Sequence, residues 1–346
     1  MAEITIKDIA KECGVGVSTV SRALNNHPDI NPETRKKILE VIEQTGFIPN
    51  NSARNLKRTD AKCIAMLVKG ITNPFFSKMI EIIEDEAKRK RYALVLRHVE
   101  AQEDELDVAL ELEKEKRLRG IVFLGGMFRH SQEKLDKLKV PYIFCAISVE
   151  AFEQTGEAKF SNIAVDDCLE SKKMTEYLLD LGHRRIAFIT ENVDESIGRS
   201  RMEGYWNAYV ERGLEVPEDL ICYVQEDVDH YSMENGYLTT KKLLQSGCEV
   251  TAIYAAADSL AIGACRAVRE AGLRIPEDIS VAGYDGMEIG EYYNPKLTTI
   301  KQPVEEMAKE AIRLLFDVIA GHKEHQQIIF AAELVERESA ARLERN

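Results

Sequence analysis

The sequence predicts an α/β protein: a small all-α head, then a two-lobed body of parallel sheets flanked by helices. Three observations carry this. Residues 5–44 hold three short helical stretches, divided first by Gly14-Val15-Gly16 and then by Asn31-Pro32. From Cys63 onward, short apolar runs alternate with amphipathic helices, the pattern of parallel strands covered on both faces. That alternation comes in two series, which implies two similar lobes with a cleft between them. At 346 residues the chain is also too long for one ordinary core, so two or three domains are expected.

Taken in order, Thr5 can cap the first helix, with Asp8 three residues on in the manner of a capping box. Ile6, Ile9 and Ala10 share a face at helical spacing. After the glycine break, a second helix resumes from Val17, with Val20 and Leu24 facing inward. Two helices across a glycine-containing turn form a helix-turn-helix, which can place its second helix in a DNA major groove. That helix exposes Ser18, Thr19, Ser21 and Arg22, hydroxyls suited to phosphates and a guanidinium suited to a guanine edge. Spacing alone fits an ordinary solvated helical hairpin equally well. Pro32 opens a third helix running to about Gln44 on Ile38, Val41 and Ile42. Next comes NSARNLKR, whose Ala53 and Leu56 have no evident core. The body's strands are read in CIAMLV, YALVL, GIVFLG and PYIFCA. A second series runs NIAV, RIAFIT, LICYV, TAIYAA and ISVAGY, with helices between the strands.

Charge is unevenly divided. The whole chain carries −13, whereas residues 1–58 carry nine Lys/Arg against seven Asp/Glu and are net positive. A locally basic head on an acidic body permits phosphate contact while disfavouring indiscriminate DNA coating. The seven cysteines are dispersed without a Cys-x-x-Cys pair, which suggests free thiols in a reducing compartment. No signal peptide and no apolar run of membrane-spanning length is read, so a cytoplasmic location is expected.

Residues 5–58 resemble the headpiece of the lactose/galactose repressor family of bacterial transcription regulators. The motifs are TIKDIAKECGV, STVSRALNN, PETRKKILEVIEQTGFIPN and SARNLK. The resemblance continues through NPFF, VDD, LGHRRIAFIT, RMEGY, AAADSLAIGA, PEDISVAGYD and LTTIKQP, and so covers essentially the whole chain. It implies a helix-turn-helix head on a periplasmic-binding-protein-like body whose chain crosses between lobes near 160, 291 and 321. The implied domains are a headpiece at 1–48 and a hinge helix and linker at 49–60. An N-terminal lobe then takes 61–160 plus 292–320, and a C-terminal lobe 161–291 plus 321–346. The resemblance further implies a homodimer on a pseudo-palindromic operator, controlled by a small-molecule effector, a sugar or sugar phosphate. With no leucine-heptad tail after LVERESA, a dimer is expected over a tail-bundled tetramer.

The resemblance assigns base reading to Val17, Ser18 and Arg22 and phosphate contact to Thr19 and Ser21, with Thr5 and Asn25 completing the DNA-contacting set. Leu56 matches a residue that wedges into a minor-groove base step, supported by Asn50, Ala53 and Lys57. Asn73, Phe75, Phe76, Arg201, Asp258 and Asp285 match effector-cleft positions, and of the two adjacent phenylalanines only one is expected to face the cleft. Several positions depart from the family pattern. Gly16 stands where serine is usual at the start of the recognition helix, Asp167 where asparagine is common, and Ser171-Lys172 where small residues are. Arg97, if it points into the cleft, would favour an anionic effector. His183 is expected to be structural.

Enzyme classes find no support in motifs: there is no G-x-G-x-x-G, P-loop, G-x-S-x-G or H-E-x-x-H, and no His/Cys set at metal-ligand spacing. No cofactor and no metal are expected. The alternative within the family is a global catabolite-control regulator activated by a phosphorylated protein partner.

Overall fold

The computed structural model describes residues 4–24, 29–45, 47, 62–100, 102–126, 132–147, 160–192 and 196–344. The chain divides into two compact units, Met1–Ala61 and Lys62–Asn346.

The first unit contains α1 (Ile6–Cys13), α2 (Val17–Leu24) and α3 (Pro32–Thr45). Its core is Ile9, Ala10, Cys13, Val20, Ala23 and Ile38, all buried, with Leu24, Val41 and Ile42 packed against them. Gly14 ends α1 in the left-handed conformation at φ 69°, which only glycine adopts without strain, and Val15 N–H closes back on the Ala10 carbonyl at 3.0 Å. Asn31 Oδ1 accepts from Glu33 N–H at 2.9 Å and so caps α3.

The second unit holds two six-stranded sheets. Its elements in order are β1 (Cys63–Lys69), α4 (Phe75–Arg89), β2 (Ala93–Val99), α5 (Glu105–Glu115), β3 (Gly120–Leu124), α6 (Gln132–Leu135), β4 (Tyr142–Cys145) and β5 (Ser161–Val165). Then follow α7 (Asp167–Asp180), β6 (Ile186–Thr190), α8 (Ile197–Glu211), β7 (Ile221–Tyr223), α9 (Met233–Gln245), β8 (Ala252–Ala255), α10 (Asp258–Glu270) and β9 (Ser280–Asp285). Last come α11 (Ile289–Tyr292), β10 (Thr298–Lys301), α12 (Val304–Ile319), β11 (Gln327–Phe330) and β12 (Glu333–Val335). The first sheet runs β2-β1-β3-β4-β5-β11 and is parallel throughout. The second runs β7-β6-β8-β9-β10-β12, parallel except where β12 meets β10 antiparallel. Each sheet has a separate apolar cluster on either face, which explains why the central strands read as unbroken apolar runs rather than alternating ones.

The lobe crossings differ from the expected 160, 291 and 321. NIAV belongs to β5 of the first sheet, so the first crossing follows Val165, where Asp166 caps α7 by accepting from Leu169 N–H at 2.9 Å. Thr298–Lys301 pairs with β9 in the second sheet, so the second crossing lies between Lys301 and Val304. The third falls between Phe330 and Glu333, because β11 pairs with β5 and β12 with β10. The cause is physical. An all-apolar strand such as β5 has the same pattern whichever sheet takes it in, and only the polar cap Asp166 just after it marks the first crossing.

Candidate functional site

In the head, α2 carries the residues matched to DNA reading. Val17 is 41% exposed, Ser18 and Arg22 are exposed, and Thr19 and Ser21 are half-buried. Arg22 makes no ion pair among the described residues, so its guanidinium fork is available. Thr5 directs both its N–H and its hydroxyl to Asp8 Oδ2, at 2.9 and 2.6 Å. At Gly16, whose carbonyl accepts from Thr19 N–H at 2.9 Å, a Cβ would come no closer than 3.5 Å to Ser18 Oγ. The departure to glycine is therefore not forced by space. Asn25, Asn50, Ala53, Leu56 and Lys57 lie outside the described residues.

In the body, a cavity of about 350 Å3 opens between the two sheets. It is lined at the carboxyl ends of strands of both, the usual place for a ligand in open α/β sheets. Lys69 and His98 lie in strands of the first sheet and Gly125 just after β3, while Asp285 ends β9 of the second and Glu191 follows β6. The N-termini of α4 and α8 supply Asn73, Phe75, Phe76, Ser196 and Arg201. Asn73 Oδ1 accepts from Phe75 N–H at 3.1 Å and so caps the start of α4. Phe75 and Phe76 meet edge to face at 5.2 Å, and both border the cavity, not one as the sequence suggested. Gly125, at φ 65°, makes room for this arrangement, since a Cβ there would approach the Phe76 ring tip to 2.9 Å.

Arg201 is 3% exposed and gripped on several sides. Its Nε donates to Asp167 Oδ1 at 2.9 Å, Nη1 donates to the Ala256 carbonyl and lies 3.5 Å from Asp285 Oδ1, and the guanidinium sits 3.6 Å from the centre of the Tyr284 ring. Burial works against its charge, but Asp167 and Asp285 outweigh burial and keep Arg201 firmly protonated. Asp285 ends β9 with φ 118°, a conformation strained for any residue with a side chain. Burial pushes its carboxyl up to about 6, opposed by Arg201, by Gln302, whose amide donates to Oδ1 at 3.0 Å, and by the Asn73 side chain from the other lobe. Asp285 Oδ2 is buried and finds no hydrogen bond of ordinary geometry. A buried acceptor left open in a ligand-sized cavity points to a donor that arrives from outside.

Asp258 departs from the expectation: it does not border the cavity. Its Oδ1 accepts from Thr299 Oγ1 at 2.6 Å and its Oδ2 from Met287 N–H at 2.6 Å, so both oxygens are committed to packing the loop after β9. Burial, reinforced by the Asp285 charge, pushes its carboxyl up to about 8. Arg97 is also outside the cavity, half exposed and 3.8 Å from Glu103, so it offers nothing to an anionic effector. His183 is buried between Thr251 Oγ1 and the Ala341 carbonyl, at 3.1 and 3.0 Å, a structural position.

The residue reading missed a second polar pole. Tyr231 Oη donates to Glu191 Oε1 at 2.5 Å, and His230 Nδ1 lies 3.0 Å from Oε2. Burial opposes the Glu191 charge, but His230, Tyr231 and Ser196 outweigh burial and hold the carboxyl below its usual range. His230 is raised in return. Glu191 directly follows β6, so the rule that ligands collect at strand carboxyl ends could have found it. His230 and Tyr231 sit in a loop with no sequence signal.

Residues 5–50 match the family described as bacterial regulatory proteins, lacI family, and residues 175–340 match a periplasmic binding protein-like domain. The HTH-type transcriptional regulator MalR of Clostridium butyricum is 38% identical over 97% of this chain and 99% of its own. The chain belongs to the lacI family of bacterial regulatory proteins. It is a DNA-binding transcriptional regulator of the repressor type, with an effector-binding body. Two solved structures are similar to this family member. A CelR–cellobiose complex is 28% identical, with TM-score 0.70 over 97% of this chain and 99% of that one. A lacI-family regulator from Enterococcus faecium with bound ribose is 30% identical, with TM-score 0.69 over 82% of this chain and all of the other. No helix among the described residues is long and apolar enough to cross a membrane.

Proposed function

We propose that the protein represses transcription in the cytoplasm as a homodimer on a pseudo-palindromic operator, and that a sugar in the interlobe cavity controls it. The observation that carries the sugar reading is the open, buried Oδ2 of Asp285 beside Arg201, in a cavity walled by Phe75 and Phe76. Sugar hydroxyls donate to a carboxylate and accept from a guanidinium, while the C–H face of a sugar ring packs on aromatics; a few convergent polar groups among apolar walls are how small-molecule sites are built. The sugars bound to the two similar structures agree with this chemistry.

Control is a population shift. A ligand held by Arg201 and Asp285 on one lobe and by Asn73 and Phe76 on the other favours the conformation in which both sets reach it. The resulting lobe movement changes the spacing of the two hinges of the dimer at residues 49–60, and with it whether Leu56 can enter the minor groove. Operator affinity measured across a panel of free sugars is the test. At least one sugar is expected to change the affinity by about tenfold, within the usual range of allosteric coupling. No response to any sugar would overturn the reading and favour a protein co-regulator.

On the DNA side, Arg22 carries most of the hydrogen-bonded base reading, since Gly16 and Val17 offer no polar side chain and Ser18 only a hydroxyl. Replacing Arg22 with alanine should cost about 1–3 kcal/mol on the cognate operator and relax preference at a single base pair per half-site. A uniform loss across all operator variants would instead place Arg22 on a phosphate.

A further inference from the structure

We propose that the cavity is built to exclude anions, so that its effector is an uncharged polyhydroxylated molecule rather than a phosphate ester, and that Asp167 is the residue that sets this selectivity. The inference rests on reading the cavity as the effector site and concerns the charge its occupant can carry.

Among the described residues, two permanently charged cations reach the cavity wall, Lys69 and Arg201. Each is neutralised from behind by a buried carboxylate that does not itself line the cavity. Lys69 Nζ lies 3.3 Å from Glu105 Oε2 and donates to the Glu103 carbonyl at 2.7 Å. Arg201 is held by Asp167 at 2.9 Å. The two histidines are paired instead with carboxylates that also line the cavity, His230 with Glu191 at 3.0 Å and His98 with Glu100 at 3.4 Å. Against these, the lining presents Glu226, Asp227, Asp229 and Asp285. The first three belong to a loop held in place by the buried Asn235 amide, which accepts from Gln225 N–H at 2.8 Å and donates to the Gln225 and Val228 carbonyls at 2.9 and 3.2 Å. Together with the open Asp285 Oδ2, the described lining offers acceptors in excess and no uncommitted cation. The phosphate group of an ester replaces a hydroxyl donor with about −1.5 to −2 charges and strong acceptor oxygens, the reverse of what this surface satisfies. A neutral polyol brings hydroxyl donors, which it does satisfy.

Asp167 is the lever because Arg201 is the cation best placed to meet an anion beside Asp285. Asparagine has nearly the same shape and can still accept from Nε through its amide oxygen, but it leaves the guanidinium charge uncancelled.

The first measurement needs no identified effector: the thermal shift of the full chain with inorganic phosphate against chloride at matched ionic strength. Wild type should show no phosphate-specific shift, and Asp167→Asn should show one. A shift already present in wild type, or none in the variant, overturns the proposal. Should Asp167→Asn fail to melt cooperatively, Glu226→Gln/Asp227→Asn/Asp229→Asn, confined to exposed residues, replaces it with the same expected sign. The second measurement is calorimetric titration of ribose against ribose 5-phosphate and of glucose against glucose 6-phosphate. Each ester is expected to bind at least about tenfold more weakly than its parent, and an ester that binds as tightly as its parent overturns the proposal. If no free sugar binds, the sugar reading falls, while the phosphate shift still decides the charge filter.

Discussion

Replacing Arg201 with alanine is expected to cost about 3–5 kcal/mol of stability and to lower Tm by on the order of 10 °C. The loss does not come chiefly from the hydrogen bonds themselves. It comes from what they leave behind: Asp167 and Asp285, each at most 3% exposed, would face each other without the guanidinium between them. The Tyr284 ring would also lose the cation now 3.6 Å from its centre. Adding Asp167→Asn to the alanine variant removes one of the two stranded charges and should recover part of the loss. Denaturation of the wild type, both single variants and the double variant provides the check. If the two changes simply add, the buried ion pair does not couple these residues.

Asp258 gives the second large effect, of opposite sign. Its carboxyl is pushed up to about 8 by burial and by the nearby Asp285, against about 3.9 for a free aspartate. The folded chain therefore keeps a proton that the unfolded chain gives up near pH 4. Stability linked to this group is complete below pH 4 and is lost progressively as pH rises towards 8, by on the order of 5 kcal/mol in total. Asp285, raised to about 6, adds a smaller loss in the same direction. Asp258→Asn retains an acceptor for Thr299 or for Met287 N–H and never ionises. Chemical denaturation at pH 5 and pH 8 should show a steep fall for wild type and a clearly shallower one for the variant. Equal falls would mean that Asp258 holds no proton in the native state.

Periodicity made the strand–helix alternation legible, and with it the head, the two lobes and the central strands of both sheets. Sheet membership was not legible, because it is decided by partners far along the chain. Ser161–Val165 and Gln327–Phe330 pair across 165 residues, and Thr298–Lys301 is too short and too rich in threonine to stand out as a strand. In the cleft, Arg201, Asp285, Asn73 and the two phenylalanines could be named because each lies in a short motif. Asp167 was noticed only as a departure, since the ion pair that explains it spans 34 residues. Asp258 sits at a helix start after a strand, where sequence cannot say whether a carboxylate faces the cavity or turns back. Met287 N–H and Thr299, both distant in sequence, turn it back.

The order in which the chain visits its two sheets has a genetic consequence. After β9 the backbone completes the second lobe with β10, returns to the first for α12 and β11, and ends in the second with β12. The last 30 residues before the C-terminus thus supply an edge strand to each lobe, and Ser339 and Ala341 hydrogen-bond into β9 through Val281 and Ser280. A nonsense mutation anywhere between codons 303 and 326 would strip both lobes at once. Neither lobe corresponds to a contiguous stretch of gene that recombination could exchange whole. Ligand preference in such a protein has to be changed residue by residue within the cleft.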